Sequence, residues 1–166
     1  MKLLLLCWVL MITSTSFAQP RIFSLERMNN SKITFAEIKN RLSCYPNMIS
    51  HWVKEKGFSK KLEVKYGELR LTRTDVGDPD GNLIVYLKDK EVCEIELSLM
   101  PDIYYCSKDK FLLIYGYTGS NDYIELFSLR NECNYIGYAD LNSKEDRDEV
   151  EINWYNQTDG SKTCHQ

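Results

Sequence analysis

The side chains in this sequence that could do chemistry are six cysteines, two histidines and 24 Asp and Glu residues. Cysteine can cross-link, ligate a metal or attack as a thiolate, and spacing decides which. Ser98 to Pro101 reads as a turn, and a hairpin folded there sets Cys93 opposite Cys106 and Ile95 opposite Tyr104. Directly opposed strand residues hold their Cβ atoms close enough for a bridge. The spacing predicts a structural Cys93–Cys106 disulfide, with Cys44, Cys133 and Cys164 competing for a second one. There is no C-x-x-C pair, so the pattern does not point to a redox-active dithiol.

A second constellation is aromatic. Phe111 to Tyr117 and Tyr123 to Leu129 form a hairpin candidate, joined across Thr118 to Asp122. In that register Tyr117 opposes Tyr123, Tyr115 opposes Glu125 and Leu113 opposes Phe127. The other side carries Leu112, Ile114, Ile124 and Leu126 and reads as a core face. Tyr115, Tyr117 and Tyr123, with the acidic neighbours Asp122 and Glu125, form the candidate binding surface, because tyrosine joins an apolar ring to a polar tip. Cross-strand aromatic pairs also serve simply to stabilise a sheet.

Other chemistries find less support. His51 sits beside Trp52 on an expected helix, and His165 is the penultimate residue; neither is flanked by nucleophile-and-orienter grammar, and G-x-S-x-G is absent. Cys44, His51, Cys164 and His165 lack a recognised zinc spacing. Aligning Gly81 of Asp78-Pro79-Asp80-Gly81 with position six of a calcium loop leaves Val76 and Leu87 where carboxylates are required, so the segment reads as a turn. A glycosidase needs two carboxylates at a set separation, which spacing in the chain cannot supply. Glu94 and Glu96 share one strand face and read as solvated. No catalytic residue, metal site or cofactor emerges.

The elements that must position these residues are readable from local grammar. Thr34 and Glu37 form an S/T-x-x-E capping box, and Phe35, Ile38 and Leu42 follow helical spacing up to Cys44-Tyr45-Pro46. A second helix is expected from Asn47, with Met48, Ile49, Trp52 and Val53 on one face and Gly57 as C-cap. From Leu62 the period changes to two: Leu62, Val64, Tyr66, then Leu69 and Leu71 after a parity shift at Gly67. Asn82 to Lys88, Cys93 to Leu99, Ile103 to Cys106, Cys133 to Tyr138 and Val150 to Trp154 read as further strands, with Ser143 to Glu149 as a charged loop. The expected fold is α+β: two short N-terminal helices packed on a mainly antiparallel, meandering β-sheet of about seven or eight strands.

Organisation and compartment follow from the first residues. Lys2, the apolar run Leu3 to Ile12 and the small-x-small triplet Ser16-Phe17-Ala18 make residues 1–18 a secretory signal peptide. Ten apolar residues span ~15 Å as a helix, about half a bilayer core. Residues 19–32 form an irregular entry segment and 33–166 a single domain. At 166 residues, 43% hydrophobic and 27% charged, the chain is neither disordered nor a polytopic membrane protein. Residues 19–74 hold 12 Lys and Arg against 5 Asp and Glu, net +7, and residues 75–166 hold 8 against 19, net −11. The halves neutralise each other when packed, or present an acidic face to a cationic partner. Nucleic-acid binding is disfavoured by the negative total, and no membrane span is expected.

The resulting expectation is a secreted or periplasmic binding protein, of inhibitor or immunity type, acting by surface complementarity on a protein or glycan partner. A small secreted carboxylate-dependent hydrolase and a structural component of an extracellular assembly are the alternatives.

Overall fold

Alternation with a period of two runs through most of the chain, and strands carry it. The computed structural model describes residues 19–24, 31–54, 60–75, 80–98, 101–118 and 121–150. These residues form β1 (Arg21–Phe23), α1 (Phe35–Arg41), β2 (Asn47–Met48), β3 (Trp52–Lys54), β4 (Lys60–Tyr66), β5 (Leu69–Asp75) and β6 (Asp80–Leu87). They continue with β7 (Lys90–Ser98), β8 (Asp102–Cys106), β9 (Phe111–Thr118), β10 (Asn121–Ser128), β11 (Asn134–Asp140) and α2 (Lys144–Val150). The signal-peptide residues 1–18 and all but the first residue of the expected strand Val150 to Trp154 lie outside the described residues, and Val150 itself closes α2 rather than opening a strand.

The strands build two sheets rather than one. The larger has six strands in the order β1-β7-β6-β5-β4-β3, and the smaller has five in the order β11-β10-β9-β8-β2. Neighbours are antiparallel except β1, which adds to β7 in parallel. Tight turns follow the local signals. Gly67 takes a left-handed φ of 57° between β4 and β5, and Lys88 and Asp89, at 52° and 61°, make the two-residue turn between β6 and β7. Two successive left-handed residues match the twist of a hairpin.

Inward-facing residues explain why the sheets stack. Leu62, Leu71, Leu83, Val85, Ile95 and Leu97 of the larger sheet share one buried cluster with Ile103, Tyr105, Leu112, Ile114 and Phe127 of the smaller. Phe23 meets the Phe127 ring edge-on at 5.5 Å, and Tyr66 meets Tyr105 at 5.7 Å, so rings from both sheets interlock. A second buried cluster lies on the smaller sheet's other face, where Leu113, Ile124 and Leu126 pack under Phe35 and Ile38 of α1 and Val150 of α2. The order of layers is six-stranded sheet, five-stranded sheet, helices.

The expectation of two N-terminal helices on a single meander is therefore corrected: the described residues are mostly β, 59% strand and 12% helical, with one helix near each end of the described domain. Residues 47–54, expected to be helical, form β2 and β3. The apolar set Met48, Ile49, Trp52 and Val53 fits a helical face and equally fits two short strands joined by a bend. Burial decides between them. Ile49 is buried between the sheets, its N–H donates to the Ile103 carbonyl at 2.8 Å, and Ser50 Oγ accepts from the Ile103 N–H at 3.2 Å. Trp52 then pairs with Leu62.

The second helix instead occupies part of the expected charged loop. Ser143 Oγ accepts from the Asp146 N–H at 3.0 Å, an S-x-x-D cap. The capping box at Thr34 forms as its spacing predicts, Thr34 Oγ accepting from Glu37 N–H at 3.1 Å and Glu37 Oε2 from Thr34 N–H at 2.7 Å. The entry segment supplies β1, and at its end Ser31, with Ile33 just beyond, exchanges backbone hydrogen bonds with Tyr138 of β11.

The predicted Cys93–Cys106 bridge is corrected as well. Cys93 is bonded to Cys133, with Cα atoms 5.8 Å apart and 40 residues between them, and Cys106 is a buried thiol. The supposed 93–106 hairpin does not exist, because β7 and β8 belong to different sheets. Cys93 faces Val85 and Arg21 across its own sheet. Its side chain points between the layers, where Cys133, just before β11, meets it, so the bridge ties one sheet to the other.

Candidate functional site

Register decides the fate of the tyrosine patch. β9 and β10 do pair as a hairpin, but Thr118 pairs with Asn121, Gly116 with Tyr123, Tyr115 with Ile124 and Ile114 with Glu125. This is one residue away from the register that a Thr118–Asp122 loop implies, and a one-residue slip sends every side chain of one strand to the opposite face. Tyr115 and Tyr117 keep one face, while Tyr123 and Glu125 turn inward beside Phe127. Tyr117 is 51% exposed and Asp122 sits near it, 3.8 Å from Arg147 of α2. Tyr123 and Glu125 are buried, at 8% and 4% exposure. The five residues do not share one surface. Gly116 permits the inward ring: a Cβ there would collide with the Tyr123 phenol.

Glu125 is chemically the most perturbed of them. Burial pushes its carboxyl up to about 8, and its Oε2 has no hydrogen-bond partner among the described residues. At neutral pH it is therefore mostly a neutral acid. Tyr135, on the neighbouring strand, is also pushed upward, by burial first and by the Glu125 charge second. A raised carboxyl is the signature of a general acid only where substrate can reach it. Glu125 has no such access through the cleft described next.

That cleft lies at the end of the sandwich where the turns gather, and has a volume of about 330 Å³. Leu87, Val92 and Leu129 give it an apolar lining. Its rim carries five cations brought from separate elements: Arg21 of β1, Lys88 of the β6–β7 turn, Lys90 of β7, Lys110 before β9 and Arg130 after β10. Glu68, Glu91 and Glu132 are the carboxylates of the rim. Arg21 pairs with Glu132, Lys88 with Glu68 at 3.5 Å, and Arg130 with Asp109 at 3.8 Å. Lys90 and Lys110 enter no ion pair among the described residues. The fold thus mixes the basic and acidic halves of the chain, and the cations that meet here come from both. No local run of charge marks this rim in the sequence. Its signal, visible only once turns are assigned, is that Lys88, Lys110 and Arg130 each sit at a strand end.

A third cluster joins Cys44, Cys106 and Asp109, all buried, with one ligand-type atom from each within 4.8 Å of the others. Cys44 already belongs to a disulfide whose other sulfur is outside the described residues, so one of the three groups is not a thiolate. Cys106 Sγ lies 2.8 Å from Cys44 Sγ and donates to Asp109 Oδ2 at 3.3 Å. Burial pushes the Cys106 thiol up to about 11. The Asp109 carboxyl is held below its ordinary value by hydrogen bonds from Ser43 and Cys106 and by the Arg130 charge, against the opposing effect of burial. His51, the one histidine described, is exposed and stands apart from this cluster.

No helix among the described residues is long and apolar enough to cross a membrane. No family model matches the chain, and neither a curated protein nor a solved structure matches it.

Proposed function

We propose that this chain is an exported binding protein acting by surface complementarity, and that the cleft at the turn end is its contact point. The ligand feature it takes is an anionic group, a carboxylate, sulfate or phosphate, displayed by a protein or glycan partner. One observation carries the reading: five cations from separate elements converge on one concave rim, and Lys90 and Lys110 have no carboxylate partner among the described residues. Unpaired, solvated ammonium groups at a concave site attract anions, and the apolar lining beneath them adds contact area. The inter-sheet disulfide supports export, since such bonds persist in oxidising compartments. The hydrolase alternative loses ground because the strongly shifted carboxyl, Glu125, is not on the cleft.

The test is titration of the purified protein with a sulfated oligosaccharide and with its unsulfated parent. Binding should be confined to the sulfated form and weaken as salt rises. The double variant Lys90→Ala/Lys110→Ala should lower affinity about tenfold or more, each lost charge-assisted contact being worth about 1 kcal/mol. Equal binding of the unsulfated sugar, or an unchanged affinity in the double variant, would reject the cleft as the contact point.

A further inference from the structure

The outward face of the six-stranded sheet carries a charge pattern independent of the cleft. Leu62, Leu71, Leu83, Val85, Ile95 and Leu97 point into the sandwich, so their strand neighbours point away from it. The outward side chains named below belong to neither buried cluster, and both helices pack on the smaller sheet. We propose that this face is a self-association surface and that its occupant is a second copy of this chain.

Charge complementarity selects that occupant. β4 presents Lys61 and Lys65 with Glu63 between them, and β5 presents Arg70, whereas β7 presents Glu94 and Glu96. In the strand order β7 is second of six and β4 is fifth. A two-fold axis running along the strands between β5 and β6 exchanges second with fifth and first with sixth. It therefore lays β4 of each copy over β7 of the other, a basic column on an acidic one. An axis across the strands would instead stack β7 on β7, which like charge disfavours. The same exchange brings the border strands β1 and β3 together. Each carries an outward apolar side chain, Ile22 at 65% and Val53 at 60% exposure.

The register fixes the contacts further. One row runs through Glu63, Thr72, Ile84, Glu94 and Ile22 across five strands. The next row contains Lys61 and Glu96, so packing with rows level sets Lys61 of each copy against Glu96 of the other. The carboxylates that meet in the middle row are already held within each copy, Glu63 by Lys61 at 2.8 Å and Glu94 by the Asn82 amide. Beside the axis Arg70 lies over the Tyr86 ring at 3.6 Å, and the exchange of β5 with β6 places each guanidinium over the other copy's ring as well. Six strands ~4.8 Å apart and three rows ~6.7 Å apart cover about 600 Å² per copy. The pair then buries about 1,200 Å², at the lower edge of specific interfaces and above most lattice contacts. Association is therefore reversible, in the micromolar range.

The experiment is sedimentation equilibrium on the full, oxidised chain from about 1 to 200 μM. A reversible dimer that weakens as salt rises is expected. Lys61→Glu and Glu96→Lys should each weaken it about tenfold or more, since each sets like charges together twice across the axis. An equimolar mixture of the two variants should dimerise again, because both 61–96 contacts then join opposite charges. Within one chain these residues lie three strands, ~14 Å, apart, so repair inside a copy does not account for that recovery. Lys90→Ala/Lys110→Ala should dimerise as the wild type does, which separates this face from the anion-binding cleft. A monomer throughout the range, single variants that dimerise like the wild type, or a mixture that stays monomeric would overturn the proposal. Loss of the dimer in the Lys90/Lys110 variant would place the contact at the cleft and equally overturn it.

Discussion

Replacing Glu125 with glutamine isolates the energetic cost of a carboxyl shut between two sheets. In the unfolded chain this group titrates near 4.5, and in the fold burial raises it to about 8. Between those values the folded chain holds a proton that the unfolded chain has released. The unfolded state then binds fewer protons, so stability falls as pH rises. Below 4.5 both states are protonated and the full stability is present; above 8 both are ionised and the loss is complete. Over 3.5 pH units, at ~1.4 kcal/mol each, Glu125 removes about 5 kcal/mol. That is a large fraction of the ~5–15 kcal/mol that holds a typical domain together. Of the groups around it, Tyr135 stays neutral across the window, since its phenol is shifted upward. Glutamine has nearly the same shape and no charge to lose. Urea unfolding of wild type and Glu125→Gln at several pH values between 4 and 9 gives the difference in free energy, in which all other titrating groups cancel. That difference should be small near pH 4 and grow by several kcal/mol in favour of glutamine by pH 8–9. A difference that stays flat across the range would refute the reasoning, and would mean that Glu125 finds water or a cation in solution.

Two further substitutions probe the packing. Cys93→Ala/Cys133→Ala opens a cross-link spanning 40 residues and should cost about 4 kcal/mol in urea unfolding by the chain-entropy relation; a loss below about 1 kcal/mol would mean that the two sheets hold together without it. Gly116→Ala puts a methyl against the inward Tyr123 ring and should destabilise by about 2 kcal/mol through overpacking, with a changed near-ultraviolet tyrosine dichroism; an unaltered spectrum and stability would place Tyr123 elsewhere.

Local grammar in the sequence was legible, and assignment of strands to sheets was not. The Thr34–Glu37 box, the Gly67 parity shift and the alternation of β4, β5, β7 and β10 all correspond to what forms, because each depends on residues a few positions apart. Whether β7 turns back on β8 or hands the chain to a second sheet depends on what Leu97 and Ile103 bury against, and alternation is identical in the two cases. The register expected for the tyrosine hairpin differs from the observed one by a single position. Gly119-Ser120 is itself a two-residue hairpin signal, and it fits the observed Thr118–Asn121 closing pair better than a five-residue loop does. With that register, Glu125 lies beside Ile114 on the inter-sheet face instead of beside Tyr115, and its burial follows. The rim cations were beyond reach for another reason, since Arg21 and Arg130 meet only because β1 crosses to the far side of the larger sheet.

That placement of β1 shapes how the chain can be assembled. Arg21–Phe23 precedes the other strands in the chain, yet its partner Cys93–Ile95 follows about seventy residues later, in β7 at the end of the β4–β7 ribbon. The ribbon can zip up from neighbouring hairpins alone, whereas the border strand must wait and then close a long loop at an entropic cost. Trimming or extending the chain ahead of Arg21 should therefore act on this closing event, slowing the last docking and leaving the earlier hairpins untouched.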